Sequence, residues 1–205
     1  MLEDALEYPF RTEEKFRNYG IALVLMISSI VIFPFFILMG YFVKIVAESL
    51  DGNDQLPEFE DFSGLFVDGL KLGSILLLYL FVGMIPLTAV SNLGFKAGIV
   101  GPFGGLFFVL VLYMMPSAVA NFARKSRMLS AFDLREVVSQ AFTRQYFIGV
   151  LTIIASQLII GVTALVTMLV LAITIIGIPL LVVFYPLAYF YQYAVMHRLM
   201  ARAVE

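Results

Sequence analysis

Six small or hydroxylated residues recur along the longest apolar stretch of this sequence, and their spacing makes them the first candidate for a functional site. They are Gly149, Thr152, Ser156, Thr163, Thr167 and Thr174. On a helix that turns by about 100° per residue, all six fall within a sector of roughly 60°. Such a stripe could line a polar path for a substrate. We favour helix packing instead, because small residues allow close approach and each hydroxyl can bond a carbonyl of its own helix.

A second candidate is the acidic segment 48–61, which contains six carboxylates and no cation. Calcium and magnesium ions require several oxygen ligands. The segment departs from a calcium-binding loop, however, because Gly52 is at the wrong position and Phe62 stands where a bidentate glutamate belongs. We therefore expect no metal and no cofactor here, and a solvated loop in which Asp61 caps the next helix.

Four residues at the end of this segment could form a docking motif for a protein partner: Pro57, Phe59, Asp61 and Phe62. The alternative interpretation is that the two phenylalanines anchor an interfacial helix among the lipid headgroups. Both interpretations place the segment at the membrane surface.

The last apolar stretch carries Tyr185, Tyr189, Gln192 and Tyr193 on one helical face. Tyrosines near a membrane interface usually form an aromatic belt, whereas those nearer Pro186 could line a cavity. His197 is the only histidine, and a lone histidine makes neither a metal site nor a triad. We expect it to contact headgroups or to supply a charge at the C-terminal end of its helix, and we expect no catalytic residue in the chain.

Composition defines the elements that must position these residues. Hydrophobic residues make up 61% of the 205 and charged residues 14%. No Asp, Glu, Lys or Arg occurs in four runs, 18–43, 72–95, 97–123 and 145–197. This pattern excludes a soluble enzyme, a disordered chain and a nucleic-acid-binding protein. It predicts an all-α, polytopic transmembrane helical bundle that forms a single membrane domain over residues 1–205, with the lipid bilayer as its partner.

The length of each run predicts its crossings, since about 20 helical residues span the bilayer core. The runs 72–95 and 97–123 each give one crossing. The run 145–197 gives two, near 147–175 and 179–198, with a break between Ile176 and Pro179 where glycine and proline weaken the helix.

The first run, 18–43, could be one kinked helix or a hairpin. Cations concentrate on the cytoplasmic side of membrane proteins. A hairpin puts 12 of the 13 Lys and Arg residues inside, whereas a single crossing leaves 9 inside. We therefore prefer a hairpin, or a re-entrant pair of short helices, that turns near Phe33 and Pro34. This choice places both termini in the cytoplasm and the protein in the cell membrane.

Short amphipathic segments between the runs suggest internal repetition. Ser130 to Asp133 has the form of a capping box, and the apolar residues that follow are spaced for an interfacial helix. A similar segment follows Asp61, and a weaker one lies at the N-terminus. We interpret the chain as three hairpin-like pseudo-repeats, about 1–50, 57–128 and 130–205.

Five short elements carry a family resemblance: Leu6–Phe10, Gly40–Lys44, Leu56–Phe62, Leu65–Lys71 and Ala131–Arg135. Together they resemble the archaeal membrane family called domain of unknown function 4013. More distantly, they are similar to membrane segments attached to some glycerophosphodiester phosphodiesterases. The family often has Trp where this chain has Phe62. The resemblance implies a multi-pass membrane protein and carries over no catalytic residue.

Ion-coupled transporters usually hold an ionisable group within the membrane, and no predicted span interior contains one. The leading hypothesis is therefore a non-enzymatic membrane protein that organises the membrane or scaffolds an oligomer. A homo-oligomer and a protein partner at the cytoplasmic loop 48–61 are its expected associations. The alternative hypothesis is a channel, a transporter or a transporter subunit whose path is lined by the stripe of residues 149–174.

Overall fold

A computed structural model describes residues 1–12, 14–29, 32–92, 97–174 and 177–204. Among these residues there are eight α-helices and no strands. The helices are α1 (Leu2–Glu7), α2 (Lys15–Ser28), α3 (Ile32–Leu50), α4 (Phe62–Asn92), α5 (Ala97–Lys125), α6 (Leu134–Ala141), α7 (Arg144–Ala172) and α8 (Gly177–Val204). Two short 3-10 segments, Tyr8–Phe10 and Met128–Phe132, complete the described elements.

Five of the helices are long and apolar enough to cross a membrane. They are α3, α7, α8 and most of α4 and α5. Consecutive long helices contact each other, most extensively α3 with α4, followed by α7 with α8 and α4 with α5, and α2 also contacts α3. The prediction of an all-α membrane bundle is confirmed.

Residues 15–50 form two helices rather than one kinked helix. Because α2 has 14 residues, it rises only about 21 Å, less than the ~30 Å hydrocarbon core. This length favours the re-entrant form of the predicted hairpin. The predicted turn at Phe33 and Pro34 is wrong, because α3 begins at Ile32 and Pro34 is in its first turn. Proline is tolerated there because the backbone N–H that it lacks has no partner within the helix.

The amphipathic segments differ from their predicted form. The N-cap of α6 is Asp133, which accepts a hydrogen bond from the backbone N–H of Glu136, so the helix begins after the expected Ser130. The segment after Asp61 is not a separate helix, because α4 runs unbroken from Phe62. Among the apolar residues of the α6 segment, Val137 and Ala141 are buried, whereas Leu134, Val138 and Phe142 are exposed.

Close contact between α3 and α4 depends on two glycines. A Cβ atom at Gly40 would overlap the backbone carbonyl of Leu65, and one at Gly69 would overlap that of Phe36. The two backbones therefore lie against each other without intervening side chains. This contact fixes the beginning of α4 against α3.

The parts of the chain that carry charge assemble at one end of the bundle. The hydroxyl of Tyr191 donates to the carbonyl of Leu6 at 2.9 Å, which ties α1 to α8. Ala131 and Val137 pack with Ala201 in the largest core cluster. The N-terminal segment, the loop 51–61, α6 and the C-terminal end of α8 thus form one polar end.

A candidate binding cavity beside helix α8

A cavity of about 600 Å³ lies between α8 and helices α2 to α5. Its lining includes five methionines, Met26, Met39, Met115, Met196 and Met200, together with aliphatic and aromatic side chains. No Asp, Glu, Lys or Arg is among the described residues that line it. The volume is in the usual range of small-molecule sites, about 300–1,000 Å³, and flexible methionines suit a ligand of variable shape.

One wall of the cavity is a row of four rings on α8, Tyr185, Tyr189, Tyr193 and His197, spaced four residues apart. Successive ring centroids are 5.5, 4.9 and 6.1 Å apart. Of the face predicted from the sequence, the three tyrosines line this cavity and Gln192 does not. His197 was not predicted as the fourth ring of the row, although its spacing from Tyr193 was the available signal.

His197 is buried, with only 5% of its surface exposed. Its ring stacks on Phe42 at 4.9 Å between centroids, and Nδ1 lies 2.8 Å from the carbonyl oxygen of Tyr193. The expectation of a headgroup contact is wrong, because His197 stands at the deep end of the cavity.

The six residues of the predicted stripe lie elsewhere on the bundle, outside the cavity lining. Gly149 and Ser156 are buried, Thr152 and Thr167 are half-buried, and Thr163 and Thr174 are exposed. All five hydroxyls donate to carbonyls of their own helix at 2.8 to 3.1 Å. Gly149 meets Ala203 of α8 so closely that a Cβ would overlap it. A polar path along the stripe stays a prediction.

The proposed docking residues divide into buried and exposed members. Pro57 and Phe59 are buried, and the Phe59 ring stacks on Tyr41 with centroids 3.7 Å apart. The carbonyl of Pro57 accepts hydrogen bonds from Asn18 and Tyr41. Asp61 and Phe62 are exposed, so they are the members that a partner could reach.

Asp61 caps α4, as the sequence predicts. Its carboxylate accepts hydrogen bonds from the Ser63 hydroxyl at 2.7 Å and from the backbone N–H of Gly64 at 3.1 Å. These two bonds, that from Ser63 foremost, hold the pKa of Asp61 below its ordinary value. The backbone at Asp61 is left-handed, with φ of 48°.

An ion-pair cluster joins both termini to the acidic loop, and it consists of Asp4, Asp54, Arg198 and Arg202. The side chain of Arg198 is fully buried and pairs with Asp54, while its distance to Asp4 is 3.6 Å. Its guanidinium also lies 4.6 Å from the centroid of the Tyr8 ring and donates to the carbonyl of Asn53 at 2.8 Å. The sequence predicted a solvated loop around Asp54, and this pairing was not anticipated.

Two neighbouring groups respond to this environment. Burial acts to raise the pKa of Asp4, but the hydrogen bond from Arg11 and the nearby arginine charges outweigh it, so the pKa lies below its ordinary value. Burial raises the pKa of Tyr8 to about 12. Asp4 is therefore ionised and Tyr8 neutral across the physiological range.

Comparison with known proteins gives one match. No curated protein and no solved structure matches this chain significantly. A family model matches residues 23–171, which include α3 to α6 and nearly all of α7. The chain belongs to the family described as Protein of unknown function (DUF4013).

Proposed function

We propose that this membrane protein is non-enzymatic and that it organises the bilayer and scaffolds an oligomer. The observation that carries the proposal is the asymmetry between the two ends of the bundle. The polar end contains α1, the loop 51–61 and the segment around α6, whereas at the other end at most four residues of sequence separate α2, α4 and α7 from the start of the next helix. The additional segments at the polar end would occupy area in one surface of the bilayer and not in the other.

Exposed apolar side chains support an interfacial position for the polar end. Phe16, Phe62, Leu129, Leu134 and Phe142 are all large and at least 44% exposed. A Lys or Arg lies within two residues of each of them except Phe62, which follows Asp61. Apolar side chains flanked by cations bind the boundary between headgroups and acyl chains. Both termini lie at this end, together with the described Lys and Arg residues, so the positive-inside rule places them in the cytoplasm under this proposal.

The oligomer part of the proposal rests on α7. In the apolar stretch of α7 that could cross a membrane, only 11% of the residues are buried. Among the described elements its main neighbour is α8. Its outward face is available to lipid or to a second copy. The competing function, a path lined by the stripe on this helix, predicts water at the same residues.

Single cysteines distinguish the two functions, because the native chain contains none. We would place them at Thr152, Thr163 and Thr167, reconstitute the full chain in vesicles and measure labelling by a water-soluble thiol reagent. Gln55→Cys, on the exposed loop, is the positive control, and Val170→Cys, on the apolar surface of α7, is the negative control. The scaffold predicts no labelling at Thr163 and cross-linking between copies. Fast labelling there would establish a hydrated path and overturn the proposal, and absence of any cross-link would overturn its oligomer part.

A further inference from the structure

The cavity beside α8 is a formed site with an open end and a closed end. At the open end Phe35, Tyr185 and Tyr189 are 40% to 50% exposed. At the closed end Phe42, Leu72 and His197 are at most 6% exposed. A molecule that enters past Tyr185 would therefore meet progressively drier surroundings until it reached the histidine ring.

The hydrogen bond of His197 determines what that ring offers to a ligand. A carbonyl oxygen can only accept, so the contact between Nδ1 and Tyr193 requires the hydrogen to be on Nδ1. In the neutral ring Nε2 is then an acceptor. In the described part of the chain nothing hydrogen-bonds to Nε2, and His197 is part of the cavity lining. His197 thus presents one unused acceptor, and because Nε2 is not fully buried, a donor in the cavity can reach it.

The dimensions of the cavity match a lipid tail. Tyr185 and His197 are twelve residues apart on α8, which corresponds to about 18 Å. One leaflet contributes about half of the ~30 Å hydrocarbon core. The open end lies on helices apolar enough to span the membrane, so its surrounding solvent is lipid. The uncharged lining favours a ligand without a phosphate or an ammonium group.

We propose that this cavity binds a long-chain alcohol from the bilayer, with its chain along the tyrosines and its hydroxyl donating to Nε2 of His197. The inference goes beyond the scaffold function and does not require it. The same chemistry could be supplied by a free alcohol or by the glycerol hydroxyls of a single-chain glyceride, and these two sources are separated below.

The test is photolabelling of the full chain in phosphatidylcholine nanodiscs with 1-hexadecanol that carries a diazirine in the middle of its chain. We expect labels on cavity residues such as Met39 and Met196. Unlabelled hexadecanol should compete roughly 3- to 10-fold better than hexadecyl methyl ether, which lacks the donor, in line with one hydrogen bond. If unlabelled 1-palmitoylglycerol competes at least as well as hexadecanol, the natural ligand is a glyceride. If it competes less well, the natural ligand is the free alcohol.

Variants make the assignment specific. His197→Phe keeps a ring against Phe42 and should abolish the preference for alcohol over ether. Val119→Trp should fill the cavity and remove the label, whereas Val162→Trp, on the exposed face of α7, should leave it. Labels spread over α7 instead of the cavity, or equal competition by ether and alcohol in the native chain, would overturn the proposal. The comparison of alcohol and ether uses the native chain, so it tests the proposal even if a variant does not fold.

Discussion

Asn18 and Tyr41 donate hydrogen bonds to the same acceptor, the carbonyl oxygen of Pro57, at 3.0 and 2.6 Å. The two donors belong to α2 and α3, and the acceptor belongs to the acidic loop. One carbonyl therefore fixes α2, α3 and the loop relative to one another. All three residues are buried, so neither bond competes with water.

Removal of both donors should lower the free energy of unfolding by more than the sum of the two single changes. Tyr41→Phe retains the stack on Phe59 and Asn18→Ala leaves Tyr41 in place, so each should lower the free energy of unfolding by about 0.5–1.5 kcal/mol. The double variant leaves a buried carbonyl without a partner, which adds about 1–3 kcal/mol. Denaturant unfolding in detergent measures this, with the exposed Tyr185→Phe as control. Strict additivity would contradict the shared acceptor.

Two glycine substitutions should change stability in opposite directions. Gly69→Ala forces a methyl group against the carbonyl of Phe36 and should cost about 1–3 kcal/mol or more, because the backbone cannot move aside cheaply. Gly20→Ala meets nothing within 4 Å and should gain about 0.5–1 kcal/mol in helix propensity. Thermal unfolding of the two variants side by side is the measurement. Equal behaviour would mean that α3 and α4 are not in backbone contact.

Loss of the buried arginine should be more damaging than loss of its neighbour. Arg198→Met removes the cation that joins Asp4, Asp54 and the Tyr8 ring, and we expect a loss of about 2 kcal/mol. This is below the ~3–5 kcal/mol of a fully buried pair, because the remaining carboxylates are partly exposed. Arg202→Met, whose side chain is 29% exposed, should cost under about 1 kcal/mol. Limited proteolysis should cut near residue 51 only in the Arg198 variant, and equal cutting in both would contradict this.

The sequence identified the elements that depend on local patterns. Charge-free runs located the long helices, and Asp61 was correctly predicted as a cap. What it missed depends on contacts between distant residues. Arg198 resembles any cation at a helix end until Asp4 and Asp54 are brought to it from 194 and 144 residues away. His197 likewise becomes part of a cavity only when α3 supplies Phe42.

The capping carboxylate of Asp61 should make the stability of the protein depend on pH in the acidic range. Because the pKa of Asp61 is lowered in the folded chain, its contribution is fully present above the unfolded value, near 3.9, and is lost as the pH falls through the folded value. Melting temperatures between pH 6 and pH 2.5 should therefore fall less steeply in Asp61→Asn, which keeps a capping oxygen without the titration. An unchanged slope would show that the carboxylate makes no such contribution.

The hydroxyl of Tyr146 joins the donor and the acceptor of one turn of α5 beside Pro116. It donates to the carbonyl of Tyr113 at 2.5 Å and accepts from the backbone N–H of Ser117 at 3.3 Å. Pro116 lies inside α5. A proline within a helix disrupts the backbone hydrogen bonds of its turn, and in a membrane the affected groups need another partner. Tyr146→Phe keeps the buried ring and should lower the free energy of unfolding by about 1–3 kcal/mol.

Hydrogen exchange should localise the effect of Tyr146→Phe. Faster exchange is expected at Ser117 and its neighbours in α5 and not along the tyrosines of α8, because only α5 loses a backbone partner. Tyr113→Phe is the matched control, since it removes a hydroxyl that bonds the carbonyl of Ala141 at 2.8 Å and leaves the Pro116 turn bridged. If both variants exchanged alike at Ser117, the effect would come from loosened contact with α6 and not from the proline turn.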